Sequence, residues 1–286
     1  MIPSLPRSIT LRTTTVVYAI LFFAFLFLPL AVVAIFAFND AAYPAPPWRG
    51  FTLDWFFGAA DGVRKGLLQD TDLLKSIGTS IWVATWVTVL SVLVGTTNAF
   101  LLELVDFKAK AALSMLMLAP LVIPGVILGI SILAFASRLA QFADDTFGLE
   151  LDFLRPGLGL VILGQFSYIV AIATLTISAR LKRFDRTLED AALNLGATPA
   201  TTFWTITLPY LKPALLGSAA LSFLMSFENF NTTLMLVGAD PPLTVLMYGR
   251  MREGATPVLN AVSLLLMVVS ALLAATMMLK KSDQNT

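Results

Sequence analysis

The stretch Glu189–Pro209, EDAALNLGATPATTFWTITLP, decides how this chain is read. It lies between two long apolar runs, yet it is amphipathic and charged. Ala191, Ala192 and Leu195 fall on one face at helical spacings. Thr187 with Asp190 predicts a capping box at its start. Gly196 is expected to break the helix. Thr198 can cap a second short helix, with Pro199 in the first-turn position that proline tolerates. Phe203, Trp204 and Ile206 give that piece an apolar side, and Leu208-Pro209 is expected to stop it. The expected form is a helix-turn-helix elbow on a membrane surface.

The chain around the elbow is built for lipid. Of 286 residues, 57% are hydrophobic and 13% charged, where about a quarter of a soluble chain is charged. Six apolar spans are expected, at about 16–38, 75–102, 111–136, 158–179, 213–237 and 257–279, each long enough to cross ~30 Å of hydrocarbon. The first is too long for a cleavable signal and lacks a small-residue cleavage site. Between the first two spans, Asn39 to Leu74 reads as a long polar loop, in which Trp48-Arg49-Gly50-Phe51 and Trp55-Phe56-Phe57 suggest an interfacial piece. Ser137–Gly157 and Gly238–Thr256 read as polar loops. Pro120, Pro124, Gly125 and Gly129 interrupt the third span, either to line a pathway or to allow close helix packing.

Charge sets the expected orientation. The N-terminal segment with Arg7 and Arg12, the turn with Lys108 and Lys110, the elbow preceded by Arg180, Lys182, Arg183 and Arg186, and the tail with Lys280 and Lys281 are all basic. With six spans they share one side, which the positive-inside rule makes cytoplasmic, with both termini there.

Several chemistries are excluded. With no Cys and no His, the chain has no disulfide, no thiolate zinc site and no His haem ligand, and it lacks the commonest general base. Its net charge of +1 implies no nucleic-acid face. There is no G-x-x-x-x-G-K-[ST] phosphate loop, so ATP, if used, binds another chain. Asp144-Asp145 reads as a solvated acidic turn. One residue breaks the lipid rule: Glu228, in SFENFNTT within the fifth span. A carboxylate at membrane depth costs about 2.5–3.5 kcal/mol on insertion scales, so it is expected to face a bundle interior or wet cavity. On a continuous helix Asn231 and Thr232 would share its face, three and four residues on, and Asn229 would not. A structural hydrogen-bond cluster is the competing reading.

In order and spacing, Asp190-Ala191-Ala192, Gly196, Ile206 and Leu208-Pro209 resemble the EAA loop of ABC importer permeases; that family usually has Glu at the position of Asp190. Pro29 through Phe38-Asn39, Trp48-x-Gly50-Phe51, Pro120-Leu121-Val122-Ile123-Pro124 and the Glu228 region resemble the second permease of spermidine/putrescine-type importers. The chain departs from that pattern at Asn229, where two consecutive acids are common, and at Gly125, where Asp is common. The resemblance implies an all-α type I importer permease fold, with residues 1–286 as a single transmembrane domain and a cytoplasmic coupling loop at about 186–209. It implies residence in the bacterial inner membrane. It implies a second, homologous permease, two ATPase subunits that hold ATP and Mg, and a periplasmic solute-binding protein. The chain itself would carry no cofactor and no catalytic or metal site. The elbow residues would dock on an ATPase subunit, and Glu228, Asn231, Thr232 and Pro124 would line the translocation path. The implied solute is a polyamine; iron, phosphonate or another amine remains open. A self-sufficient channel or secondary transporter is the competing class, and it has no reason to carry the elbow.

Overall fold

The computed structural model describes residues 9–44, 46–59, 64–254 and 256–282. Arg7 and the end of the expected tail, through Thr286, lie outside the described residues. The described chain is helical, and its sole β feature among those residues is an isolated antiparallel bridge between Asn39 and Phe51. Lipid offers no partner to a backbone N–H or C=O, so a spanning chain closes its hydrogen bonds within helices. Five helical stretches are long and apolar enough to cross a membrane by length and composition: Leu11–Phe36, Thr71–Leu104, Gly125–Phe147, Leu158–Leu181 and Pro199–Phe227.

The chain forms two compact units, one built on residues up to Leu74 and from Met247 onward, the other on Lys75–Leu246. In the first unit, α1 (Ile9–Phe36) packs on α12 (Val258–Ser282). None of the most apolar window of α1 is buried, and a row of rings, Tyr18 on Phe22 and Phe23 on Phe27, lies along its surface. A helix apolar all round is the form a membrane span takes. After α1 the chain folds into a small cap around Asn39, which is fully buried. The Asn39 amide donates to the Pro47 carbonyl (3.3 Å) and accepts from the Arg49 N–H (2.8 Å), and its carbonyl accepts from the Trp55 indole (2.8 Å). Trp55, on the short helix α2 (Asp54–Phe57), is therefore a core residue of the cap rather than the interfacial anchor expected from its sequence neighbours. Arg64 stacks over its ring, 5.3 Å from the centroid, and pairs with Asp40.

The second unit is centred on α6 (Leu158–Leu181). Against it pack α4 (Lys110–Val122), α5 (Gly125–Phe147), α9 (Leu208–Phe227) and α10 (Asn231–Leu236). Val83 and Val87 of α3 (Thr71–Leu104), Ala136 and Ala140 of α5, Leu160, Val161 and Ile169 of α6, and Leu236 of α10 form one apolar core. The third expected span is two helices. Ile123 is extended (φ −79°, ψ 128°) because the ring of Pro124 crowds the helical conformation of the residue before it. Pro124 then opens α5, which runs on to Phe147. The expected loop at Ser137 is thus helical, and Asp144 and Asp145 sit exposed on its last turn. The fifth expected span, 213–237, is likewise interrupted, at Glu228–Phe230. The expected loop at 238–256 is mostly α11 (Leu243–Gly254).

Arg250 of α11 grips Asp70 with both guanidinium nitrogens, Nη2 to Oδ1 at 2.9 Å, within the first unit. That hydrogen-bonded guanidinium holds the Asp70 carboxyl below its ordinary value of 3.8. A carboxyl depressed in the folded state stabilises fully above its unfolded value, and the contribution is lost as pH falls through the folded value. Asp70→Asn is therefore expected to lower the melting temperature of the detergent-purified protein by roughly 2–6 °C at pH 7. The difference between variant and parent should shrink as pH drops below 3.8; a difference independent of pH would contradict the role of the charge.

Candidate coupling elbow and translocation site

The elbow consists of α7 (Thr187–Asn194) and a helical stretch that begins at α8 (Pro199–Thr202). Its start differs from the capping box expected for Thr187 and Asp190. Asp185 Oδ1 accepts from the Thr187 N–H (3.0 Å) and hydroxyl (2.8 Å), so an aspartate two residues upstream supplies the cap. The same bonds hold the Asp185 carboxyl below its ordinary value. At the other end of α7, the N–H of Ala197 reaches the Ala192 carbonyl and that of Gly196 the Leu193 carbonyl, both at 3.0 Å. This pair of bonds is a Schellman closure, and it places Gly196 at φ +91°, where a side chain is strained. Thr198 accepts from the Thr201 N–H (3.2 Å) and caps α8, as its sequence predicts.

Leu208-Pro209 does not stop the second helix. Phe203–Thr207 form a π-helical turn that runs directly into α9, so helix continues from Pro199 to Phe227. Proline obstructs an α-helix because it lacks an N–H and crowds the carbonyl four residues back. The wider turn before Pro209 changes that spacing, so helix passes Pro209 without ending.

The elbow is tied down on several sides. Thr207, buried, donates to the Glu189 carboxylate. Arg186 donates to the Glu103 carbonyl (3.2 Å), and Lys182 lies 3.5 Å from the Glu103 carboxylate. Arg180 packs over the Tyr210 ring, 4.1 Å from its centroid, and joins α6 to α9. Phe203 rests against Phe100 of α3. The tip is exposed: Leu195 is 90% accessible and Trp204 65%, with Leu188 and Leu193 beside them. Asp190, Ala191, Gly196 and Pro209 are also exposed, whereas Ala192, Ile206 and Leu208 are half-buried. Ala191, Ala192 and Leu195 thus form no shared buried face; the apolar side of α7 points outward.

At the second site, Glu228 lies at the C-terminal end of α9 rather than in the middle of a helix. No glycine or proline makes the break between α9 and α10. Asn229 does much of that work. Its Oδ1 accepts from the Thr233 N–H (3.2 Å) and hydroxyl (2.8 Å), its Nδ2 donates to the Tyr168 hydroxyl (2.5 Å), and its carbonyl accepts from Thr244 (2.9 Å). Gln165, 1% exposed, donates to Thr233 Oγ1 (2.8 Å) and accepts from Ser226. Glu228 itself is exposed, as are Asn231 and Pro124.

Of the expected path residues, the structure brings Pro124 and its neighbour Gly125 to Asn231 and Thr232. Thr232 donates to the Gly125 carbonyl (3.3 Å), and a Cβ on Gly125 would stand 3.1 Å from Asn231 Cβ. A Cβ on Gly129 would meet Met235 Cβ at 2.9 Å, so α5 and α10 touch where glycine permits. The break removes the helical spacing that would have put Asn231 and Thr232 on the face of Glu228. Sequence reasoning missed Gln165 and Tyr168. The rule that singled out Glu228, a polar side chain inside an apolar span, applies to Gln165 as well.

Residues 91–280 match the family model described as the binding-protein-dependent transport system inner membrane component. The chain is 29% identical over 254 residues to the putrescine transport system permease protein PotI of Escherichia coli strain K12, covering 88% of this chain and 85% of that protein. It is 30% identical over 264 residues to the putative 2-aminoethylphosphonate transport system permease protein PhnV of Salmonella typhimurium strain LT2, covering 88% and 91%. Its fold is similar to a chain of a bacterial ABC transporter involved in the import of the acidic polysaccharide alginate, with a TM-score of 0.71 and 18% identity over 96% of each chain. A transporter family rather than an enzyme family is thereby indicated: the chain belongs to the binding-protein-dependent inner-membrane permeases of ABC importers.

Proposed function

We propose that this permease carries an amine-bearing solute, with putrescine or spermidine the first choice, and that it is driven through the Asp190–Pro209 elbow by an ATPase on another chain. The elbow carries the reading of the drive: a projection fixed by Arg186, Glu189 and Arg180 that ends in exposed Leu195 and Trp204. An exposed apolar tip on a rigid mount suits a partner groove. ATP and Mg would sit on the two ATPase subunits, since this sequence has no phosphate loop. A second permease and a periplasmic binding protein would complete the transporter, with residues 1–286 acting as one transmembrane domain. Gly196→Val is expected to abolish uptake, because a β-branched residue at φ +91° opens the Schellman closure. Solute capture by the binding protein should persist. Uptake at the parental rate in proteoliposomes would sink the coupling role.

In the six-span arrangement proposed here, α4 with α5 forms one broken span and α9 with α10 another, and both termini are cytoplasmic. The basic turn at Lys108 and Lys110, the elbow and the tail at Lys280 and Lys281 then share the inner side. Single cysteines at Asp145 and Lys281, neither competing with a native thiol, are expected to react with an impermeant reagent from opposite faces. Reaction of both from one face would contradict the arrangement.

The amine rests on Glu228. The two relatives carry different solutes by name, but putrescine and 2-aminoethylphosphonate share an ammonium group. Glu228 stands at the carbonyl end of α9, where the helix dipole adds negative potential to the carboxylate. A passing ammonium is a suitable partner, and a single acid is weak enough to release it. With Asn231, Thr232 and Pro124 it would line the path. Glu228→Gln is expected to reduce uptake of putrescine at least about tenfold, the scale of one lost charge interaction, while the complex still co-purifies. Putrescine, spermidine, 2-aminoethylphosphonate and an uncharged solute tested in turn with the cognate binding protein separate the candidates. Undiminished uptake in the variant, or loss of the complex, would remove the role of Glu228.

A further inference from the structure

We infer that Tyr168 and Asn229 form a latch that fixes the backbone from which the Glu228 carboxylate projects, which makes α6 a positioning element for the cationic solute. The inference rests on the reading of Glu228 given above. Glu228, Asn229 and Phe230 are all residues that a helix tolerates, so their sequence alone does not end α9. Tertiary hydrogen bonds hold the interruption open. In an unbroken helix the Thr233 N–H would take the Asn229 backbone carbonyl. Here it takes the Asn229 side chain instead, and the freed carbonyl goes to Thr244. The remaining amide protons of Asn229 face Tyr168.

Glu228 is bracketed. Two residues before it, Ser226 donates to Gln165; one residue after it, Asn229 donates to Tyr168. Gln165 and Tyr168 are three apart on α6 and so lie on one face of that helix. The chain on either side of Glu228 is thus pinned to a single surface one turn long. Among the described residues, the Glu228 carboxylate itself accepts no hydrogen bond and makes no ion pair, and it is exposed. Its backbone is fixed while its charged end is free, which is the arrangement of a side chain meant to meet something that arrives. Tyr168 touches no solute in this scheme; it acts through Asn229.

The test uses the assembled transporter in proteoliposomes with its binding protein and radiolabelled putrescine. Tyr168→Phe removes one oxygen and leaves the ring. The expected result is a rise of about three- to tenfold in the concentration giving half-maximal uptake, the scale of one net hydrogen bond, with a smaller change in the maximal rate. In the double variant with Glu228→Gln, that rise should vanish, because there is no charge left to position. Additive effects would overturn the latch, and so would Tyr168→Phe behaving as the parent while Glu228→Gln is impaired. If Glu228→Gln alone leaves uptake untouched, the reading of Glu228 fails first and the latch with it, an outcome separate from the other two. Should Tyr168→Phe fail to assemble, Asn229→Ala takes its place with the same expectations, since it removes the other partner of the same bond.

Discussion

A polar backbone group in hydrocarbon must find its partner within the protein, and this structure follows from that requirement. It explains why the described chain is helical throughout its apolar length, and why its breaks are bridged by hydrogen bonds from neighbouring elements. Where α4 gives way to α5, Thr232 donates to the Gly125 carbonyl. Where α9 gives way to α10, Asn229 takes the Thr233 N–H. At the far end of α10 the Leu236 carbonyl is met by the Gly157 N–H at 2.9 Å. A helix of six residues, α10, persists because its ends are closed by its neighbours.

Two interruptions of the same chain are made by different means. At Gly196 the backbone alone turns, using a positive φ that glycine tolerates and two carbonyl bonds of its own helix. That turn depends on nothing beyond its immediate sequence. At Glu228–Phe230 the backbone conformation is ordinary, and three other elements hold it through Tyr168, Thr233 and Thr244. The first kind is a fixed corner. The second lasts only while its partners stay in place, and each interhelical bond of this type is worth about 0.6–2 kcal/mol in a membrane.

The same distinction decides what could be read from the sequence. Gly196 and Thr198-Pro199 carry their geometry in their own chemistry, and the elbow between them was legible to within a residue or two. The existence of the long apolar helices was legible too, from bilayer thickness, but the third and fifth expected spans each proved to be interrupted and to have ends about ten or more residues from those expected. The cap of α7 was misplaced by two residues because Asp185 and Thr187 are both able to cap and only the backbone path chooses. Leu208-Pro209 reads as an end because proline obstructs a regular helix; the π-helical turn that lets helix pass it leaves no mark in composition. The break after Phe227 was hidden because the helix is ended by contacts from α6 and α11, which lie 61 and 15 residues away in the chain. Trp55 looked interfacial for a similar reason: its partner, Asn39, is 16 residues upstream.

The π-helical turn at Phe203–Thr207 has a mechanical meaning. Because helix runs unbroken from Pro199 to Phe227, 29 residues, the second half of the elbow and α9 are one continuous element, with the π-helical turn and Pro213 the places along it where a bend is taken up. The first joint along it lies past Phe227, where Glu228, Asn229 and Phe230 leave helical form. A displacement of Trp204 that those two places do not take up would therefore reach the far end of α9. It would meet there the hydrogen bonds around Asn229, beside the only carboxylate of the SFENFNTT segment.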